Sequence, residues 1–280
     1  MSTVSVIVVS YNTREHLRAC LGSLPSSVQT IVVDNASHDG SAKLVASEFP
    51  DVTLIRNELN RGFGRANNQG MEIATGDLIL LLNSDAKCTL GAVERLAEEF
   101  ESPEVVAAGG CLVYPDGRRQ RSAAGNLTLW AVFCEQTYLE RLFAKTSPYW
   151  IEPGKSDASQ DVEQVMGACL MFRPVERFDE RFFLYCEDTE LCHRLRRHGR
   201  IRYVRSAIFE HALGASSSEN RWMSVARYNR GKELYFRIHH GRHQAVICWL
   251  LNRFGALLRA PIKPMFWRVL FSPLKGPLEP

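Results

Sequence analysis

Short apolar runs alternate with segments whose apolar residues recur every three or four positions, and this alternation organises the first hundred residues. "VSVIVVS" at 4–10 is a continuous β-branched run, the pattern of a strand covered on both faces. Asn12 then stands where it would cap a helix, with Glu15 three residues on and Leu17, Cys20, Leu21 and Leu24 as the inner stripe. "TIVVD" (30–34) predicts a second strand, a helix follows over 41–49, and "VTLIRN" (52–57) predicts a third strand. A helix over 63–74 stops at Gly76, and "DLILLLN" (77–83) is a fourth strand as apolar as the first. Leu90, Val93, Leu96 and Phe100 mark a helix over 90–100. Repetition of strand, helix and strand predicts an α/β fold: a mostly parallel sheet with helices on both faces.

The later pattern is less regular. "VVAAGGCLVYPDGRR" (105–119) reads as a strand running into a Pro-Asp-Gly turn. Residues 120–160 read as a long loop with one helix near 128–143, and 162–174 as another strand. A helix is predicted over Glu187–His198 and a strand over 201–211. In that helix Asp188, Leu191, Cys192 and Leu195 fall at i, i+3, i+4 and i+7, which puts an acid on the stripe that faces the core. The segment 245–271 is apolar nearly all round if helical, with Arg253 among Val246, Trp249 and Leu257. Two readings of it are open: packing against the body, or shallow seating at a membrane surface with its basic side chains reaching the head groups.

Charge sharpens the picture of that tail. The net charge is only +3 over 280 residues, yet from Gly241 onward six Lys/Arg face a single acid, so a near-neutral body carries a basic tail. The basic excess lies in an apolar segment with no recognised nucleic-acid motif, which excludes nucleic acid as the expected partner. The eight cysteines (20, 88, 111, 134, 169, 186, 192 and 248) form no CxxC pair and suit no zinc spacing, so buried free thiols in a reducing cytoplasm are expected. The run from Val4 reads as a strand rather than a signal peptide, and no apolar run reaches the roughly 18–20 residues that span a bilayer. A cytoplasmic protein is expected, at the inner face of the cell membrane if the tail seats there.

Candidate chemistry collects at the strand ends, where doubly wound sheets bind ligands. "SYN" (10–12) follows the first strand, "DNASHDGS" (34–41) the second, "NELNRGFGRANNQG" (57–70) the third and "NSD" (83–85) the fourth. One such end is a turn; four along one rim predict a site. Asp85 closes a buried strand, where a bare carboxylate is costly without a cation or hydrogen-bond donors. Gly62 and Gly64 would let the backbone approach a ligand before a helix begins. Arg65 fits either a phosphate or a solvated surface position.

With "GACLMFR" (167–173) and "FFLYCEDTELCHRLRRHG" (182–199), these segments form six ordered motifs over residues 4–199. The constellation resembles the family 2 glycosyltransferases, inverting nucleotide-sugar enzymes of the GT-A (Rossmann-like) fold, and most of all their rhamnosyltransferase-type branch. The resemblance implies a nucleotide-sugar-binding half at 1–110, an acceptor-binding and catalytic-base half of the same domain at 111–240, and a helical tail at 241–280. It implies that Ser10, Tyr11, Asn12, Asp34, Asn60, Gly62, Asn67, Asn83, Ser84 and Asp85 bind the donor. Tyr11 would stack on the base and Asp34 would accept a hydrogen bond from it. Asn83 departs from the family's usual Asp-x-Asp motif, which leaves a metal with fewer charged ligands. Asp85 and His211 would hold a divalent ion, Mn²⁺ or Mg²⁺, with the imidazole tilting the preference toward Mn²⁺. Asp188 would be the catalytic base and Glu187 a contact to the acceptor or a support for the base; acids that merely complement the helix dipole are the rival reading.

The implied function is transfer of a sugar, with rhamnose from dTDP-rhamnose first and a UDP-sugar next, to a saccharide or lipid-linked saccharide in cell-surface (cell-wall) polysaccharide biosynthesis. A nucleotidyltransferase would be expected to carry a basic Gly-rich loop after the first strand, which "SYNTREHL" is not. A non-catalytic nucleotide-sugar binder is disfavoured by the presence of both Asp85 and Asp188.

Overall fold

The computed structural model describes residues 2–139, 149–151, 158–212 and 221–272. Its first strands are the predicted apolar runs: β1 (Val4–Ser10), β2 (Gln29–Asp34), β3 (Thr53–Arg56) and β4 (Leu78–Leu82). The short β5 (Ala86–Cys88), β6 (Val105–Val113), β10 (Cys169–Phe172) and β11 (Arg200–His211) complete the path β3-β2-β1-β4-β10-β6-β11-β5, while β8 (Gln160–Val162) pairs with β11. A separate ribbon joins β7 (Ala123–Ala124) to β9 (Gln164–Val165).

The β3-β2-β1-β4 side is parallel throughout. Beyond it β10 runs antiparallel to both β4 and β6, and β5 antiparallel to β11, so the sheet is mixed in its second half. The expected single strand over 162–174 is interrupted. Pieces at 160–162, 164–165 and 169–172 flank a turn at Met166–Ala168, which is where the chain must leave one ribbon to enter the main sheet.

Alternation along β4 divides the core. Leu78, Leu80 and Leu82 join one apolar cluster and Ile79 and Leu81 the other, as the two-residue period of a strand requires. The first cluster is covered by α1 (Arg14–Gly22), α2 (Ser41–Glu48) and α4 (Ala92–Glu98), the second by α3 (Phe63–Ile73) and α6 (Glu187–Leu195). Leu17, Cys20 and Leu21 are buried as the stripe predicts, but Asn12 does not cap α1. Thr13 stands at that position, and Asn12 takes a left-handed turn, φ 54°, to accept a hydrogen bond from the His38 amide at 2.8 Å. The helix expected from residue 90 starts at Ala92, so Leu90 projects into solvent instead of joining Val93, Leu96 and Phe100.

Within the stretch read as a loop, α5 (Leu129–Thr137) forms; the remainder of the predicted helix at 140–143 lies outside the described residues. α7 (Arg221–His239), α8 (Gly241–Arg259) and α9 (Met265–Leu270) pack with α5 as a helical layer with apolar clusters of its own. The cysteines are free, and all but Cys88 are buried.

Candidate active site

β1 is flanked by β2 on one side and β4 on the other, so the order of connection reverses between β1 and β4; ligands of open α/β sheets bind at such a switch point. A hydroxyl relay closes the gap there. Thr13 Oγ1 donates to Ser84 Oγ at 2.8 Å and lies 3.1 Å from Ser10 Oγ, and all three residues are buried. Ser10 and Ser84, 74 residues apart in sequence, are thereby joined through one hydroxyl.

At the end of β2 the Asp34 carboxylate is 3% exposed. Its Oδ2 accepts from the Ser37 amide at 3.1 Å, while Oδ1 has no hydrogen-bond partner among the described residues. A buried carboxylate oxygen left this way costs free energy until a donor arrives, so Asp34 is set to receive one. Asn67 on α3 repeats the arrangement: Nδ2 donates to Phe63 O at 3.0 Å and the buried Oδ1 is unpartnered. Tyr11 is half-buried at the same rim, beside the exposed Asn12.

The glycine loop does something the sequence did not suggest. Gly62 has φ +83°, and a Cβ on it would meet the Phe183 carbonyl oxygen at 2.4 Å. The Phe63 amide donates to that same carbonyl at 2.9 Å. Gly64 likewise abuts Phe178, and Asn68 exchanges hydrogen bonds with the Phe178 backbone in both directions. The room made by these glycines is filled by the segment leading into α6. Asn60 Oδ1 serves loop closure, accepting from Asn35 Nδ2 at 2.8 Å and the Gly62 amide at 3.0 Å. Arg65 is exposed and pairs with Glu180 at 3.4 Å.

Asn83, Asp85 and His211 meet at the far lip. His211 Nε2 lies 3.2 Å from Asp85 Oδ1 and 3.3 Å from Asn83 Nδ2, with the His211 and Asp85 side chains 2% and 8% exposed. The orientation of Gln120 decides the imidazole's tautomer. Gln120 Nε2 donates to the His211 carbonyl at 2.6 Å, which turns its Oε1 toward His211 Nδ1 at 2.8 Å. Nδ1 is therefore the donor, and neutral His211 presents a lone pair at Nε2. That lone pair and the Asp85 carboxylate are two acceptors facing one gap, and a divalent cation fits between such ligands. No third His, Cys, Asp or Glu completes a cluster among the described residues, so further oxygens would have to come from a ligand.

The acid pair opens α6. Two successive non-glycine residues with positive φ, Tyr185 (75°) and Cys186 (68°), start α6 in a strained turn. Gly231 of α7 is wedged against it, since a Cβ there would meet Tyr185 O at 2.5 Å. On α6 Leu191, Cys192 and Leu195 are fully buried, as the period requires. Asp188 is half-buried, its Oδ2 accepting from the Gly167 amide at 2.9 Å and its Oδ1 from the Thr189 amide at 2.8 Å. Burial pushes its carboxyl above the ordinary value, and the two amides pull it back. Glu187 goes deeper than expected: it is 5% exposed and its Oε2 is without a partner. Burial, reinforced by the charge of Asp188, raises it to about 8. Both acids are thus held above the ordinary carboxylate range, and Glu187, the deeper of the two, is raised further by the neighbouring Asp188.

The turn at 166–168 joins the two sides. The Gly167 amide holds Asp188 while the Ala168 carbonyl accepts from the Asn83 amide at 3.1 Å, so one dipeptide links the base candidate to the turn after β4 that carries Asp85. A side chain at Gly167 would come within 3.3 Å of both Asp188 Cβ and Phe63 Cε1. A carboxylate fixed by two amides and joined through this turn to the backbone of Asn83 can serve as a proton acceptor.

The sequence model described as "Glycosyl transferase family 2" matches residues 5–160. The chain belongs to glycosyltransferase family 2. This transferase is 26% identical over 283 residues to the N-acetylglucosaminyl-diphospho-decaprenol L-rhamnosyltransferase of Mycobacterium tuberculosis, across 88% of each chain. It is 22% identical to the low-salt glycan biosynthesis hexosyltransferase of Haloferax volcanii, over 70% of this chain and 62% of that one. Its fold matches that of a Pyrobaculum calidifontis mannosyltransferase solved with GDP-Man and Mn²⁺, at a TM-score of 0.58 and 16% identity over 96% of this chain and 74% of the other. S. aureus TarS with UDP-GlcNAc matches at 0.55 and 15% identity, over 96% and 79%. The fold of the transferase is thus GT-A.

Several residues that build the transferase's site carry no sequence signal of their own. Gln120 is one polar residue in a loop, and Thr13 and Thr189 are ordinary residues of helix starts. Gly167 stands in one of the six motifs but shows its purpose only beside Asp188. A cleft of about 490 Å³ on the other stripe of α6, between Glu190, Arg194 and His239, is separate from this rim. Its Arg194 and Glu190 are already paired, at 2.7 Å.

Proposed function

We propose that this transferase is an inverting enzyme that moves rhamnose from dTDP-rhamnose to a hydroxyl of a lipid-linked saccharide in cell-wall polysaccharide assembly. The observation that carries the chemistry is the Asp188 carboxylate, held by two amides and tied through Gly167–Ala168 to the β4–β5 turn bearing Asn83 and Asp85. The substrate reading rests on the similarity to the mycobacterial rhamnosyltransferase, which extends over 88% of both chains and whose name specifies a lipid-linked saccharide.

In this reading Tyr11 stacks on the donor base and the unpartnered Asp34 Oδ1 accepts its N–H, while Asn67, Ser10 and Ser84 line the rim around the sugar nucleotide. Asp85 and His211 would hold a divalent ion, Mn²⁺ or Mg²⁺, against the donor diphosphate. When bound, that ion neutralises charge building on the leaving phosphate. Asp188 takes the proton of the acceptor hydroxyl as its oxygen bonds to the anomeric carbon. The bond from that carbon to the diphosphate breaks on the opposite face, and the nucleoside diphosphate leaves with the electron pair. Glu187, protonated at neutral pH, keeps a second negative charge away from the base.

The test is direct. The chain is incubated with dTDP-rhamnose, Mn²⁺ and a lipid-linked N-acetylglucosamine diphosphate, and the product is analysed by NMR. A rhamnoside of anomeric configuration opposite to the donor's is expected. Retention of configuration would remove the single-displacement chemistry, and transfer from UDP-sugars alone would replace the donor.

A further inference from the structure

α8 is built inside out. Its inward side carries Asn252, whose amide donates to Asn229 O at 3.2 Å and Glu233 Oε1 at 2.9 Å, with Gly255 seated against Gln136 and only the small Cys248 and Ala256 as buried apolar neighbours. Its outward stripe is Val246, Ile247, Leu250, Phe254, Leu257 and Leu258, all exposed. These positions share one helical face, where a water-bathed helix carries its charges. The stripe continues past the helix: Ile262 is 80% exposed, and on and after α9 the exposed rings of Trp267 and Phe271 stack with centroids 6.4 Å apart. Nine of the sixteen large apolar residues exposed among the described ones lie between Val246 and Phe271, so this is a patch and not scatter.

Charge frames the patch. Between Gly241 and Ser272 the chain has Arg242, Arg253, Arg259, Lys263 and Arg268 and no acid. Arg253 and Arg259 turn inward, binding Val269 O and Ser272 in the first case and Glu135 O and Gln136 in the second, which fixes α9 and α5 to α8. Arg242, Lys263 and Arg268 are exposed around the apolar surface. No described helix is long and apolar enough to cross a membrane.

We propose that this face of α8 and α9 docks on the surface of a bilayer containing anionic lipid. The apolar stripe enters the boundary of head groups and acyl chains, with Trp267 and Phe271 at the interface and the three basic side chains among anionic head groups. A second copy of the chain is the poorer occupant: a twofold contact sets the patch against itself, and its rim would oppose Arg and Lys to Arg and Lys with no acid to pair them. The docking deepens the proposed function by bringing the enzyme to where a lipid-linked acceptor resides. α7 joins the face to the site, since it packs on α8 and wedges Gly231 against the Tyr185–Cys186 turn.

Vesicle flotation of the full chain tests the docking without relying on turnover. Wild type should float with vesicles containing about one-third phosphatidylglycerol in phosphatidylcholine and stay behind with phosphatidylcholine alone, as expected where each basic side chain adds about 1 kcal/mol at an anionic surface. Leu250→Glu/Phe254→Glu should abolish flotation. Lys263→Ala/Arg268→Ala should weaken it about thirty-fold, by that same increment for two charges. Both variants should keep the wild-type melting temperature and dTDP affinity; if the first fails to fold, Ile262→Glu/Phe271→Glu, outside the packed core, takes its place. Wild type left behind by both vesicle types overturns the docking, as does flotation indifferent to these substitutions, or a wild-type dimer that they dissociate. Failure to bind dTDP with flotation intact would instead remove the proposed function and leave the docking standing.

Discussion

The two sides of the cleft manage their polar groups in opposite ways. On the donor side, Asp34 Oδ1 and Asn67 Oδ1 are buried without partners, and His211 and Asp85 aim acceptors at a common gap. On the acid side, Asp188 already has two amide donors, and its neighbour Glu187 is deep enough to keep its proton. The first arrangement stores unmet hydrogen-bonding demand, which a ligand satisfies on arrival. The second fixes a carboxylate in position before any ligand arrives. A binding rim and a reacting group place different demands on the same backbone, and the structure separates them across the 166–168 turn.

The largest test of that division is Asp188→Asn. Transfer should fall by about 10²–10⁴-fold, the usual worth of a positioned base, with dTDP affinity measured by calorimetry within about threefold of wild type. Equal losses in affinity and turnover would erase the distinction between the two sides. Gly62→Ala probes the joint between them: its Cβ would meet the Phe183 carbonyl at a left-handed φ, so denaturant unfolding should show a loss of about 1–3 kcal/mol.

Gln120→Leu removes the acceptor that sets the His211 tautomer and should weaken Mn²⁺ binding by about 10–100-fold, read by metal titration in the presence of dTDP. Asp34→Ala should cost about tenfold in dTDP affinity and leave Mn²⁺ binding unchanged. The smallest effect on dTDP and Mn²⁺ affinity is that of Glu187→Gln, which is read through stability instead. The folded value near 8 lies above the unfolded one near 4.3, so the folded state binds the extra proton and stability falls as pH rises between them. Gln should therefore melt close to wild type at about pH 4, increasingly above it as pH rises toward 8, and by a constant margin beyond. Parallel curves would show that Glu187 ionises normally.

Much of the parallel half could be read from the chain because its strands are buried on both faces and their ends follow in register. Leu80 and Ser84 are four residues apart, and the apolar run that places one places the other. The acid side depends on contacts that local periodicity does not encode. The stripe of Leu191, Cys192 and Leu195 predicted that α6 faces inward, yet the deeper acid is Glu187, the residue that directly follows the Tyr185–Cys186 turn. Gly62 signals a positive φ from sequence but not what fills the space beside it, which is a carbonyl 121 residues away. The 162–174 segment reads as one strand because apolar residues dominate it from Val165 to Phe172; its break at Gly167 lies where the chain meets both Asn83 and Asp188.

That break sets a gauge. Two consecutive residues hold Asp188 and the Asn83 backbone, one through an N–H and the other through a C=O, so the spacing between these two is set by a single peptide unit and its two hydrogen bonds. On the proposed chemistry, a donor whose anomeric carbon sits too high or too low over that span has no proton acceptor within reach. Selection among sugars would then be enforced by main-chain dimensions, which side-chain substitution elsewhere in the pocket cannot easily reset.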